Sequence, residues 1–182
     1  MTKGLPRVAA LAGLTGGVVM AMISMIMMWL TGGGFWTPLN LIAHAAWRHA
    51  PLDGTFSGTA AVVGLAIHMA MAGFFGSLIA LAARRLPGAR SIVITIGLLF
   101  VAVIWPIMQY GAWRAIDPIA AADFTPWILA IGHLMFGLFA ATIAAIGVEN
   151  ADTAPRHRKP SVPPVALSAV WPRRFGGRGR PM

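Results

Sequence analysis

Between Gly58 and Arg85 the chain reads GTAAVVGLAIHMAMAGFFGSLIALAARR, an apolar and small-residue run broken by one histidine, His68, and closed by Arg84 and Arg85. A helix rises about 1.5 Å per residue and the hydrocarbon core of a bilayer is about 30 Å thick, so about 20 such residues cross it once. This stretch predicts a membrane span over about 60–83, and runs of similar length and character predict three more, at about 8–30, 91–113 and 125–148. The expected fold is an all-α membrane protein with a four-helix transmembrane domain over residues 1–148 and a basic tail over 149–182.

Composition supports that class. Charged residues make up 10% of the chain, against about 25% in soluble domains. There is no cysteine, which removes disulfides, thiolate metal sites and cysteine nucleophiles. The net charge of +9 would point a soluble protein toward nucleic acid, but here its placement speaks to topology. Of fourteen Lys and Arg residues, only Arg48 and Arg114 fall in the connections after the first and third spans. The positive-inside rule then puts both termini in the cytoplasm and Asp53, Asp117 and Asp123 on the outer side.

The first span is too long for a signal-peptide core, and the TGGGFW that follows offers no small-x-small cleavage site, so it is expected to stay. Gly13 and Gly17 form a small-xxx-small pair suited to close helix approach. Five methionines follow between Met20 and Met28. The first connector, GGGFWTPLNLIAHAAWRHAPLDGTFSG, is patterned: Thr37-Pro38 suits a helix start, and Asn40, His44 and Arg48 recur every fourth residue. That spacing predicts a short amphipathic helix over about 38–49 in the outer interface, with a re-entrant segment packed on the bundle as the other possibility. In the third span Pro106 predicts a kink, with Gln109 and Tyr110 one turn beyond. GLAIHMAMAGFFGSLIAL resembles LAIGHLMFGLFAATIAAI, which points to a parallel duplication of a helical hairpin.

The tail is rich in Pro, Arg and Gly and is expected to be disordered, with Arg173, Arg174, Arg178 and Arg180 near anionic lipid; nucleic-acid binding is not expected.

Counting inward from the outer helix ends puts His68 and His133 at one depth, level with Met22 and Trp105-Pro106. Ionisable residues inside a span are costly, which makes this layer the candidate site. The plain use of the histidines is to hydrogen-bond across helix interfaces. Three ligand uses stand beside it: bis-histidine haem b on His68 and His133, a copper site on Met22, Met25, Met28, His68 and Met69, and a quinone pocket using Gln109, Tyr110 or a histidine with Trp105 as a wall.

Through Trp36, Pro38, Leu39, Asn40, Ile42, Pro51, Gly54 and Gly58, residues 33–80 resemble uncharacterised bacterial four-helix inner-membrane proteins. The resemblance implies a multi-pass protein of a bacterial cytoplasmic membrane and carries no activity. No catalytic constellation is visible, so the expected role is a non-enzymatic accessory or assembly subunit of a larger membrane complex, through a membrane-protein partner or self-association. The alternative is an outer-leaflet ligand or redox site on His68 and His133.

Overall fold

Long apolar sequence becomes long helix because a chain in lipid must satisfy its backbone hydrogen bonds internally. The computed structural model describes residues 4–153, and no strand occurs among them. The elements are α1 (Leu5–Leu30), α2 (Thr37–His44), α3 (Gly58–Arg85), α4 (Arg90–Pro106), a π-helical segment (Ile107–Ala112), α5 (Trp113–Ile116), α6 (Pro118–Asp123) and α7 (Pro126–Thr153). Four stretches, Leu5–Leu30, Gly58–Arg85, Arg90–Ile116 and Pro126–Asn150, are long and apolar enough to cross a membrane, matching the four expected spans to within a few residues. Residues 149–153, assigned to the tail from sequence, continue α7; the lipid contacts expected of Arg173 to Arg180 lie outside the described residues.

The bundle is built around α1 and α7. Within their most apolar windows 44% of residues are buried, against 28% in α3 and 17% in the α4–α5 stretch, so α1 and α7 form the inner pair. Small residues make this possible. A Cβ at Gly13 would lie 2.7 Å from the Ala72 carbonyl oxygen, and one at Gly17 would lie 2.6 Å from Ala72 Cβ, so α1 and α3 touch backbone to backbone. On another face of α1, Gly16 receives Phe136 and Ala140 of α7. Between α4 and α7, Gly97 faces Ala141 and Gly137 faces Val101. Most of the main core is alanine, including Ala12, Ala72, Ala80, Ala140 and Ala144. Membrane helices gain nothing by hiding apolar surface from lipid, so close van der Waals packing must hold them together.

The packing is lopsided. α1 lies against both α3 and α7, and α4 lies against α7, but α3 and α4 barely meet. A two-fold relation between hairpins would pair α3 with α4 as closely as α1 with α7, so the duplication expected from sequence does not extend to the packing. What remains is an open seam between α3 and α4.

The connector after α1 is ordered. α2 ends at His44, short of the expected 49, and Arg48 lies in the turns beyond it. Seven of its eight residues are buried. The polar face turns toward protein: Asn40 Nδ2 donates to the carbonyls of Asp53 at 2.8 Å and Thr55 at 2.9 Å. Ser57 caps α3, its Oγ accepting from Ala60 N–H at 3.3 Å. Gly34, at φ +89°, sits directly against Gly54, a left-handed turn and a close approach that together favour glycine. At the opposite end Arg90 donates to Glu149 at 2.5 Å, joining the start of α4 to α7.

Gly13→Leu should force α1 and α3 apart and destabilise the bundle by about 1–3 kcal/mol, read as a lower unfolding midpoint in detergent. Gly73→Ala, whose added Cβ meets nothing within 4 Å, should leave the midpoint nearly unchanged.

Candidate functional site

Pro106 ends α4 in a way that builds a site. It offers no N–H to the preceding turn, and the chain widens into the π-helical segment Ile107–Ala112, so the expected kink takes the form of a π-bulge. Two neighbouring side chains of this segment face different ways. Gln109 turns inward and is 3% exposed, whereas Tyr110 is 50% exposed, its ring 6.1 Å from that of Trp105 and beneath the Arg114 guanidinium.

Gln109 helps line a cavity that the α2 end of the bundle encloses between α1, α3, α7 and the α4–α5 stretch. Its volume is about 60 Å³. Polar side chains on its wall are His68, His133, Gln109 and Trp105, and the rest is aromatic and aliphatic, with Phe75, Phe136 and Trp113 among the rings. Met20, Met71 and Met108 also line it, and their flexible thioethers can move aside for a larger guest.

Both histidines are oriented by carbonyls. His68 Nε2 donates to the Gly17 carbonyl at 2.9 Å, across the crossing that the glycine opens. His133 Nδ1 donates to the Leu129 carbonyl, one turn back along α7, at 2.8 Å. A carbonyl can only accept, so these bonds fix which nitrogen carries the proton. The other nitrogens, His68 Nδ1 and His133 Nε2, have no protein partner. Trp105 Nε1 and Gln109 Oε1 are also buried without one.

The residues named from sequence thus divide. His68, His133, Gln109 and Trp105 meet at one cavity, and Tyr110 lies outside its lining. The methionine stripe does not join them: Met22 is 44% exposed, Met25 is buried in helix packing, and the Met28 sulfur accepts from the Thr125 hydroxyl at 3.4 Å. The Met69 sulfur lies at the α1 crossing beside Gly17. The copper set expected from sequence therefore does not converge, and no group of three or more His, Asp or Glu suited to a metal occurs among the described residues. Bis-histidine haem fits poorly for a separate reason. His68 has its Nε2 committed to Gly17, and a macrocycle approaching Nδ1 would meet the residue's own Cβ and backbone. Met20, Met71 and Met108 were not among the candidate site residues; Met71 shares one face of α3 with His68 and Phe75, while Met20 and Met108 reach the cavity through the packing of α1 and of the α4–α5 stretch.

A second polar cluster fastens the cap over this end. Asp117 is fully buried. Its Oδ2 lies 2.5 Å from His44 Nδ1 and 2.7 Å from an Arg48 guanidinium nitrogen, while Oδ1 accepts from Ala120 N–H at 3.2 Å and caps α6. Arg48 also donates to the Ile116 carbonyl at 3.0 Å. Burial would raise the Asp117 carboxyl, but the hydrogen bonds from His44 and Ala120 and the charges of His44 and Arg48 outweigh it and hold the group below the usual carboxylate range. The cluster joins α2 to the α5–α6 corner, and Ile42 of α2 and Trp113 of α5 both line the cavity.

No protein-family model matches the chain, and no curated protein or solved structure matches it closely enough to carry an inference.

Because the folded carboxyl is held low, its contribution to stability is complete above the ordinary carboxylate value and is lost as pH falls through the folded value. Asp117→Asn should therefore cost about 1–3 kcal/mol at pH 7, and its deficit relative to the parent should shrink as pH falls below about 4. Unfolding midpoints of both proteins across pH 3–7 test this; a deficit unchanged down to pH 3 would show that the charge at Asp117 does not stabilise the cap.

Proposed function

We propose that this chain is a membrane protein that holds a small, mostly apolar ligand in the cavity between α1, α3, α7 and the α4–α5 stretch, and that it serves as a non-catalytic subunit of a larger membrane complex. The observation that carries the reading is the set of unpartnered polar atoms at one apolar recess: Gln109 Oε1 and Trp105 Nε1 are buried without partners, and each histidine keeps one ring nitrogen free. Buried polar groups are nearly always paired, because leaving one unmade costs about 1–3 kcal/mol. Two such groups, with two bare imidazole nitrogens beside them, form an incomplete hydrogen-bonding set at one cavity, and a ligand that completes it gains that energy. Ligand sites are commonly of this kind, apolar walls with a few placed polar groups. A π-bulge at such a recess is consistent with the same use.

The subunit role rests on chemistry the site lacks. Its wall carries no carboxylate, lysine or hydroxyl nucleophile, so the groups present can bind and orient but do not form a catalytic set.

Purification from native membranes in mild detergent tests both parts. The parent should carry a small lipid-soluble molecule, identified in an organic extract by mass spectrometry, which Gln109→Leu loses by about tenfold, and it should bring a stable membrane-protein partner. An extract no different from bulk membrane lipid would overturn the ligand reading. Isolation only as itself would overturn the subunit reading.

A further inference from the structure

The cavity's hydrogen-bonding groups are of unequal kinds, and that imbalance specifies the ligand. With Nε2 of His68 and Nδ1 of His133 donating to carbonyls, the nitrogens left over are His68 Nδ1 and His133 Nε2. No carboxylate stands on the wall to balance a charged ring, so each bears a lone pair. Gln109 Oε1 is a third acceptor without a partner, and Trp105 Nε1–H is the unpartnered donor opposite them. The site therefore asks its ligand for O–H donors. A ligand offering only carbonyl oxygens would set acceptor against acceptor at both imidazoles.

A second feature continues from the first along the same seam. Beyond the cavity, where α3 and α4 barely meet, an apolar groove of about 70 Å³ runs between them, lined by Leu78, Ile79 and Ala82 of α3 and Val93, Ile96 and Phe100 of α4. Phe75 belongs to the cavity wall and Phe100 to the groove wall, and their rings stand 5.9 Å apart in an edge contact. The two recesses thus share one aromatic boundary. They present a polar-headed pocket followed by an apolar slot along the spans.

We propose, resting on the ligand reading above, that the occupant is a dihydroxylated aromatic ring with a prenyl tail, a membrane quinol. One hydroxyl donates to Gln109 Oε1 and the other to a bare imidazole nitrogen, His68 Nδ1 or His133 Nε2, a ring oxygen accepts from Trp105, and the tail passes Phe75 and Phe100 into the α3–α4 groove. The groove lies between α3 and α4, and the ligand enters along it from the bilayer. The proposal is one of binding and involves no electron transfer.

The full chain in nanodiscs, held anaerobic, is titrated with four probes: a prenylated quinol, its quinone, its dimethyl ether and the tail-less quinol, followed by quenching of tryptophan fluorescence. The quinol should bind at least about tenfold tighter than the quinone or the ether, the difference expected for unmade buried hydrogen bonds. Gln109→Leu should weaken the quinol, and Ile96→Trp, which fills the groove at an exposed position, should weaken the prenylated quinol but not the tail-less one. Equal binding of quinol, quinone and ether, all sensitive to Gln109→Leu, would overturn the quinol assignment and leave the ligand pocket standing. No binding of any probe, together with folded parent and variants by circular dichroism, would overturn the quinol assignment; the extract described above decides the pocket separately. An unchanged prenyl preference in Ile96→Trp would overturn the groove as the seat of the tail.

Discussion

The fold depends on how closely α1 can approach its neighbours. Gly13 and Gly17 let α1 meet α3 at backbone distance, and Gly16 admits Phe136 from α7. In lipid there is no hydrophobic gain to compensate for a looser fit, so a side chain at any of these positions would be felt through the bundle. The Gly17 crossing also determines the chemistry, because it brings the Gly17 carbonyl to His68 and so decides which imidazole nitrogen is left for a ligand. Packing and site are one arrangement seen from two sides.

The rest of the site follows from two departures from regularity. Pro106 opens a π-bulge in which Gln109 faces inward and Tyr110 outward, and the sparse contact of α3 with α4 leaves a groove beside the cavity. Over the cavity end, the His44–Asp117–Arg48 cluster ties α2 to the α5–α6 corner. An ordinary straight bundle with four matched interfaces would have had neither the recess nor the cap.

Much of the fold was legible in the sequence because span length and apolar composition respond to a single physical requirement, the thickness of the bilayer. His68, His133, Gln109 and Trp105 were legible for a related reason: polar or π-bearing groups inside a span are rare enough to be noticed. What the sequence did not show has a common cause as well. Asn40 and His44 recur at helical spacing, but their partners, the carbonyls of Asp53 and Thr55 and the Asp117 carboxylate, are remote in sequence, so periodicity could not show what that face meets. Met22, Met25 and Met28 share a helical stripe, yet the bundle's lopsided packing decides which methionines reach the cavity, and it selects Met20, Met71 and Met108. Tyr110 follows Gln109 directly, and successive helical residues face different ways, so one reaches the cavity and the other the surface.

The central claim is that two imidazoles, each fixed by a backbone carbonyl, hold bare nitrogens toward one ligand site. Nitrogen-15 NMR of histidine-labelled protein in bilayers tests it most directly, since the chain has five histidines and single substitutions assign each signal. The account predicts one protonated and one bare nitrogen in both His68 and His133 at neutral pH, with only the bare signal moving when quinol is added. Doubly protonated rings, or bare signals indifferent to every ligand while the fold is intact, would contradict it.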